Sequence, residues 1–261
     1  MTRSFFPVIF AGAGPGDPDL ITVKAMKAMA RADVILYAGS LVPESVLCWK
    51  GPETQTLSSA GLDLNQIVDT LCTFYQEGKQ LVRLHTGDPS LYGAIFEQMQ
   101  ALEARHIPFE VIPGVTAAFA AAAAMSMEYT LPEMTQTLIL TRISGRTPVP
   151  AAESLDRLAA HQASMAIYLS AAHALTVQHT LAAHYGKDAW CAIAYKVSHP
   201  EEKIVFCKIK DLDKTCRENQ ITRHALIIAG KAVSVCKKNQ DLIKSKLYDP
   251  GFSHGYRSAA E

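Results

Sequence analysis

Residues 7–20 read PVIFAGAGPGDPDL. The first seven, 7–13, are a continuous apolar run that ends in small residues, the pattern of a strand buried on both faces of a parallel sheet. Gly12, Gly14 and Gly16 then suit a tight turn. Asp17 supplies an N-cap carboxylate, and Pro18 fits the first helical position, so a helix is expected from there to about Ala32. Working outward, residues 34–37 (VILY) form a second short apolar run, and residues 64–76 have amphipathic helical spacing, stopped near Gly78. A third strand is expected at 81–85, a helix from about 91 to 105, and a fourth strand at 109–112, cut off by Pro113 and Gly114. This β-α-β rhythm with short turns predicts an α/β layer around a mostly parallel sheet.

The pattern changes after Gly114. An alanine-rich helix is expected at 117–126, then a loop holding Pro132. Strands are expected at 137–141, 165–169, 192–195, 204–208 and 225–229, with helices near 152–162, 173–185 and 211–219. The fold class expected is therefore α/β: two α/β domains, with mostly parallel or mixed sheets. The first is expected over 1–116 and the second over 117–235, followed by a tail, 236–261, without clear period.

Composition narrows the function. Charged residues are 19% of the 261 and hydrophobic residues 49%, which excludes wholesale disorder. Lys plus Arg equals Asp plus Glu at 25 each, so no global field recruits nucleic acid. The six cysteines, at 48, 72, 191, 207, 216 and 236, form no CxxC pair. Neither a metal site nor a disulfide framework is suggested, and scattered thiols fit a reducing compartment. The longest run of small apolar residues, 117–125, falls short of the roughly 20 needed to span a bilayer. The N-terminus has no credible leader, so a soluble cytoplasmic protein without membrane contact is expected.

Several turns carry candidate chemistry. The glycine turn sits where a dinucleotide fingerprint, G-x-G-x-x-G, would sit, but its third glycine position is Asp17. A carboxylate there repels a pyrophosphate, and the next strand ends in Tyr37, Ala38, Gly39 and Ser40 without an acid. A nicotinamide oxidoreductase is thereby disfavoured, while a tight turn with an Asp cap explains the residues locally. The turn at 86–93 (TGDPSLYG) exposes backbone and one carboxylate without a cation, which suits a neutral or cationic small ligand, while a capped loop explains it equally well. At 113–118 (PGVTAA) small side chains allow either a flat ligand or a neighbouring helix to approach. Arg142 and Arg146 lie in a loop beyond a strand, where guanidinium groups could take carboxylates or be solvated. Histidines 161, 173, 179 and 184 have no i, i+4 pair and read as surface or packing residues. No nucleophile elbow, Walker lysine or Cys–His signature is present, so no catalytic residue is named.

The order of these motifs is more specific than any one of them. GAGPGDPDLITVKA (12–25), ADVILYAGSLV (32–42), RLHTGDPSLYG (83–93), VIPGVTAAFAAAAA (111–124) and LTRISGRTPVP (140–150) together resemble the tetrapyrrole (corrin and porphyrin) methylase family. The resemblance covers roughly residues 7–233. Within the family, YAGSLV, LHTGDPSLYG and LTRISGRTPVP look like the members that methylate C11 of precorrin-4 or cobalt-precorrin-4 in cobalamin synthesis.

That resemblance implies two α/β domains, S-adenosylmethionine in a cleft between them, and a homodimer. By motif position it implies cofactor contacts at Pro15, Thr86, Gly87, Asp88, Leu91, Thr116 and Ala117, and, at or just beyond later strand ends, at Leu169, Val197 and Ala225. Arg142 and Arg146 would meet the carboxylates of a tetrapyrrole substrate. Asp17 and Asp88 suit the cationic sulfonium, and backbone groups at strand ends can read adenine. Members that methylate uroporphyrinogen III often carry an Asp after the tyrosine of the second strand, and Ala38 stands there instead. The remaining alternatives are another tetrapyrrole substrate, ribosomal RNA (against which the neutral charge counts), and a non-catalytic protein that binds S-adenosylmethionine or a corrinoid. Direct methyl transfer is expected, with the protein contributing mainly orientation and desolvation.

Overall fold

The computed structural model describes residues 6–39, 41–238 and 245–258. Ser40, the last residue of the YAGS stretch, lies outside them, as do 239–244 and 259–261 of the tail. The chain divides into two compact units, Met1–Ala120 with Ser198–Pro200, and Ala121–Val197 with Glu201–Glu261.

In chain order the first elements are β1 (Val8–Gly12), α1 (Val23–Arg31), β2 (Val34–Tyr37), β3 (Gln55–Ser58), α2 (Leu64–Gln76), β4 (Leu81–His85), α3 (Phe96–Glu103), β5 (Phe109–Ile112) and α4 (Ala117–Ala124). The five strands form one parallel sheet in the order β3-β2-β4-β1-β5. Both faces are covered, which is why β1 and β2 are continuously apolar rather than alternating. On one face Ala25 and Met29 of α1 pack with Ile35, Leu84 and Ile112. On the other, Val68 and Leu71 of α2 and Leu102 of α3 pack with Phe10 and Leu36. Asp63 and Gln66 form a reciprocal capping box that starts α2.

Two expectations are corrected here, and one strand is added. The helix expected from Pro18 is only a 3-10 turn, Pro18–Leu20, capped by Asp17. A fresh helix, α1, then starts after Thr22, whose hydroxyl accepts the Ala25 N–H. The helix expected from 91 begins at Phe96. Tyr92 and Ala94 are left-handed (φ 56° and 49°), and a Cβ on Gly93 would collide with the Pro89 carbonyl, so these residues form a loop. The polar strand β3 has no counterpart among the expected elements, because an edge strand need not be apolar.

The later elements are β6 (Leu138–Arg142), α5 (Leu155–Ala159), β7 (Ser164–Tyr168), α6 (Ala174–Tyr185), β8 (Trp190–Tyr195), β9 (Lys203–Lys208), α7 (Leu212–Glu218), β10 (Ala225–Ala229) and α8 (Lys231–Lys238). This sheet has the order β6-β7-β10-β8-β9 and is mixed. Only β6 and β7 pair parallel; the other three pairings are antiparallel. Leu155, Val177, Leu181 and Leu212 from α5, α6 and α7 build a core on Met165, Ile167, Ile193 and Ile227. The helix expected at 152–162 shrinks to α5, preceded by a 3-10 turn. The helix α8 was not expected, and it extends ordered structure beyond 235.

Candidate functional site

In the first sheet β1 lies between β4 and β5, and all three run parallel, so the turns that follow them meet at one edge. The edge beyond the carboxyl ends of parallel strands is where ligands bind in such folds. Here the turns meet through bare backbone. Gly87 donates its N–H to the Gly14 carbonyl at 2.7 Å, and Ala13 donates to the His85 carbonyl at 2.7 Å. A Cβ on Gly12 would lie 2.6 Å from the Gly114 α-carbon, and one on Gly114 would collide with the Gly87 carbonyl. Glycine is required at both positions by this close approach.

Asp88 fastens the arrangement. Its Oδ1 accepts the Ser90 N–H and its Oδ2 the Gly114 N–H, both at 2.8 Å. Both carboxylate oxygens are thus engaged by backbone donors, and Asp88 ties the second turn to the third. Asp17 accepts the Asp19 N–H at 2.9 Å. Of the expected cofactor residues, Pro15, Thr86, Gly87, Asp88, Leu91, Thr116 and Ala117 all lie in or directly after these turns. Pro15, Gly87 and Thr116 are buried, while Thr86, Asp88, Leu91 and Ala117 are half-buried.

Beneath the second turn runs a buried polar file that sequence reasoning missed. Arg83, 4% exposed, donates from Nε to Gln98 and from Nη1 to the Leu36 carbonyl. Gln98 in turn donates to the Ala94 carbonyl at 2.8 Å, anchoring the loop that leads into α3. His85 stacks on Phe10, and burial, reinforced by the Arg83 charge, pushes its pKa down to about 3. The ring is therefore neutral at pH 7. The signal available was a charged residue in the middle of LVRLH, an otherwise apolar strand.

The second sheet gathers the remaining candidates at one of its edges. Arg142 is opposite Tyr168 and Ala225 is opposite Tyr195, so the ends of β6, β7 and β8 and the start of β10 lie together. Leu169, Val197 and Ala225 follow or begin those strands. The backbone here is unusual for residues with side chains: Leu169, Lys196, Ser198 and His224 are all left-handed, with φ between 44° and 61°. Such conformations cost about 1–3 kcal/mol each and concentrate at ligand sites. Leu169 is also 66% exposed, a large apolar side chain held in an unfavourable conformation at a strand end.

The arginines differ in role. The Arg142 guanidinium donates to the carbonyls of Ile143, Thr147 and Pro148 at 2.9–3.2 Å, folding its own loop around itself. Arg146 is exposed in that loop. A guanidinium has five N–H donors, so Arg142 retains donors for a carboxylate after shaping the loop.

These features fit a flat nucleoside bearing a positive charge. The first edge offers backbone donors and acceptors, two carboxylates, and no lysine or arginine within the turns 12–17, 86–90 and 113–117. A pyrophosphate would find no compensating cation there.

Comparison with known proteins agrees with this geometry. The family described as Tetrapyrrole (Corrin/Porphyrin) Methylases matches residues 7–213. A cobalt-precorrin-4 C(11)-methyltransferase of Priestia megaterium is 46% identical over 251 residues, covering 96% of this chain and 97% of the relative. A precorrin-4 C(11)-methyltransferase of Pseudomonas aeruginosa is 44% identical, covering 96% and 98%. Among solved structures, a cobalt precorrin-4 methyltransferase described as a cobalamin biosynthetic enzyme superposes with a TM-score of 0.84 at 46% identity, over 87% of this chain and 95% of that one. This chain belongs to the tetrapyrrole methylase family.

Proposed function

We propose that this chain transfers a methyl group from S-adenosylmethionine to C11 of precorrin-4 or cobalt-precorrin-4 in cobalamin synthesis. The observation that carries the reading is similarity along nearly the whole chain, at 44–46% identity, to proteins named for that reaction. The cobalt-precorrin relative is 46% identical and the precorrin relative 44%, so the proposal covers both substrates.

The residues divide the work between binding and orientation. Pro15, Thr86, Gly87, Leu91, Thr116 and Ala117 offer backbone and small side chains to the adenosine and methionine parts of the cofactor. Leu169, Val197 and Ala225 add apolar contact, with the exposed Leu169 side chain best suited to a flat ring. Asp88 keeps two turns in register, and with Asp17 it makes the first edge favourable to positive charge. When bound, S-adenosylmethionine supplies an electrophilic methyl group, whose bond to sulfur breaks as the bond to C11 forms. Arg146 and the free donors of Arg142 would hold the substrate's acetate and propionate groups, so that C11 is aligned with the methyl carbon. No side chain need supply a nucleophile, because the macrocycle carbon is itself electron-rich.

The same reading makes the protein a homodimer of the cytoplasm. Phe96 and Phe119 are 66% and 54% exposed, apolar surface that a second copy would cover. Among the described residues no helix is long and apolar enough to cross a membrane. The cofactor assignment is tested by calorimetric titration with S-adenosylhomocysteine, with NADH as control. Micromolar binding of the first alone is expected. Binding of NADH instead, or of neither by folded protein, would overturn it.

A further inference from the structure

A later segment, Ser198–Pro200, is counted with the first unit, and it lies on the glycine turn. Ser198 Oγ accepts the Asp17 N–H at 2.9 Å across 181 residues of sequence. Beside it, the His199 ring fills the space that a side chain at Gly16 would need. A Cβ there would sit 2.6 Å from His199 Nε2 and nearer still to Cδ2. The chain bends unfavourably to achieve this, since Lys196 and Ser198 are left-handed, at φ 44° and 61°. Side-chain-bearing residues keep such conformations only where their surroundings enforce them. The sequence carries no local sign of the contact, because the two partners share no motif.

We infer that Ser198 and His199 form a clasp on the glycine turn, with His199 a positioning residue for the nucleoside cofactor. The inference rests on the proposed function and extends it to a residue pair outside the motif positions. A turn with glycines at 12, 14 and 16 has wide conformational freedom, and ordering it on binding would weaken affinity. The clasp orders Gly16 and Asp17 beforehand, directly after Pro15. Its effect therefore falls on cofactor binding and not on the methyl-transfer step.

The test is calorimetric titration of S-adenosylhomocysteine into the full-length protein, its His199→Ala and Ser198→Ala variants, and Gly16→Ala with and without His199→Ala. Thermal melting without ligand establishes that each is folded. His199→Ala is expected to weaken binding about tenfold, the scale of about 1.4 kcal/mol for losing the ring packed against the turn. Ser198→Ala should weaken it less. Gly16→Ala displaces the ring by collision, so adding His199→Ala to it should cost nothing further. In turnover, KM for S-adenosylmethionine should rise with kcat unchanged at saturation. Wild-type protein that binds S-adenosylhomocysteine while folded His199→Ala binds it equally well would overturn the clasp alone. Additive losses in the double variant, or a fall in kcat without change in KM, would do the same. Failure of the wild-type protein to bind would overturn the functional reading and the clasp together.

Discussion

Each oxygen of Asp88 accepts a backbone N–H, one from Ser90 and one from Gly114, so removing the carboxylate frees two turns at once. Asp88→Ala is expected to lower unfolding free energy by about 2 kcal/mol, the scale of hydrogen bonds to a charged group, and to weaken S-adenosylhomocysteine binding in parallel. Urea unfolding and calorimetry measure the two; an unchanged midpoint would show that the bonds are not structural. At Leu169 the same two readouts should move in opposite directions. Glycine relieves the left-handed strain, so Leu169→Gly should stabilise the protein by about 1 kcal/mol while weakening the cofactor complex. His85 introduces a pH dependence. Its folded pKa, about 3, lies below the value near 6.5 of an unfolded histidine, so between those values the unfolded chain binds the extra proton. Its contribution is neutral above about pH 6.5, and it destabilises increasingly as pH falls, by roughly a kcal/mol per unit, until it levels off near pH 3. His85→Asn should flatten that part of a stability–pH curve; an unchanged slope would contradict the assignment. The motif reading placed Asp88 at the site, but its role as a brace came only from the distance to Gly114, 26 residues away.

At the scale of elements, legibility followed burial. Strands β1, β2, β4 and β5 were readable because a sheet covered on both faces demands mostly apolar runs, interrupted here only by Arg83 and His85 in β4 and Glu110 in β5. Edge strand β3, Gln55–Ser58, is polar and carried no such signal. Helix α2 matched its expected bounds because Asp63 caps it and Gly78 stops it. The starts of α1 and α3 were misread for one shared reason: Asp17 and Leu91 open turns, not helices, and those turns belong to the candidate site. The loop after β6 gives a direct test. Arg142→Ala removes three hydrogen bonds to the carbonyls of Ile143, Thr147 and Pro148. The loop should loosen and KM for the tetrapyrrole should rise about tenfold or more, the cost of mispositioning a group that orients substrate. Affinity for S-adenosylhomocysteine should stay unchanged; loss of that affinity with an unaltered tetrapyrrole KM would reverse the assignment of the loop.

For the whole molecule, equal numbers of positive and negative side chains already argued against a nucleic-acid substrate, and the order of five motifs pointed to the family. Contacts between residues far apart in sequence, such as Ser198 with Asp17, were beyond that reading because no spacing rule connects them. The proposed homodimer makes its own prediction: sedimentation should give twice the chain mass, and a strictly monomeric species at micromolar concentration would remove it. The most direct test of the central claim is turnover with methyl-labelled S-adenosylmethionine, offering precorrin-4, cobalt-precorrin-4 and uroporphyrinogen III in parallel. Label is expected at C11 of one or both of the first two and absent from the third. Label on uroporphyrinogen III alone, or no transfer by protein that binds S-adenosylhomocysteine, would contradict the account.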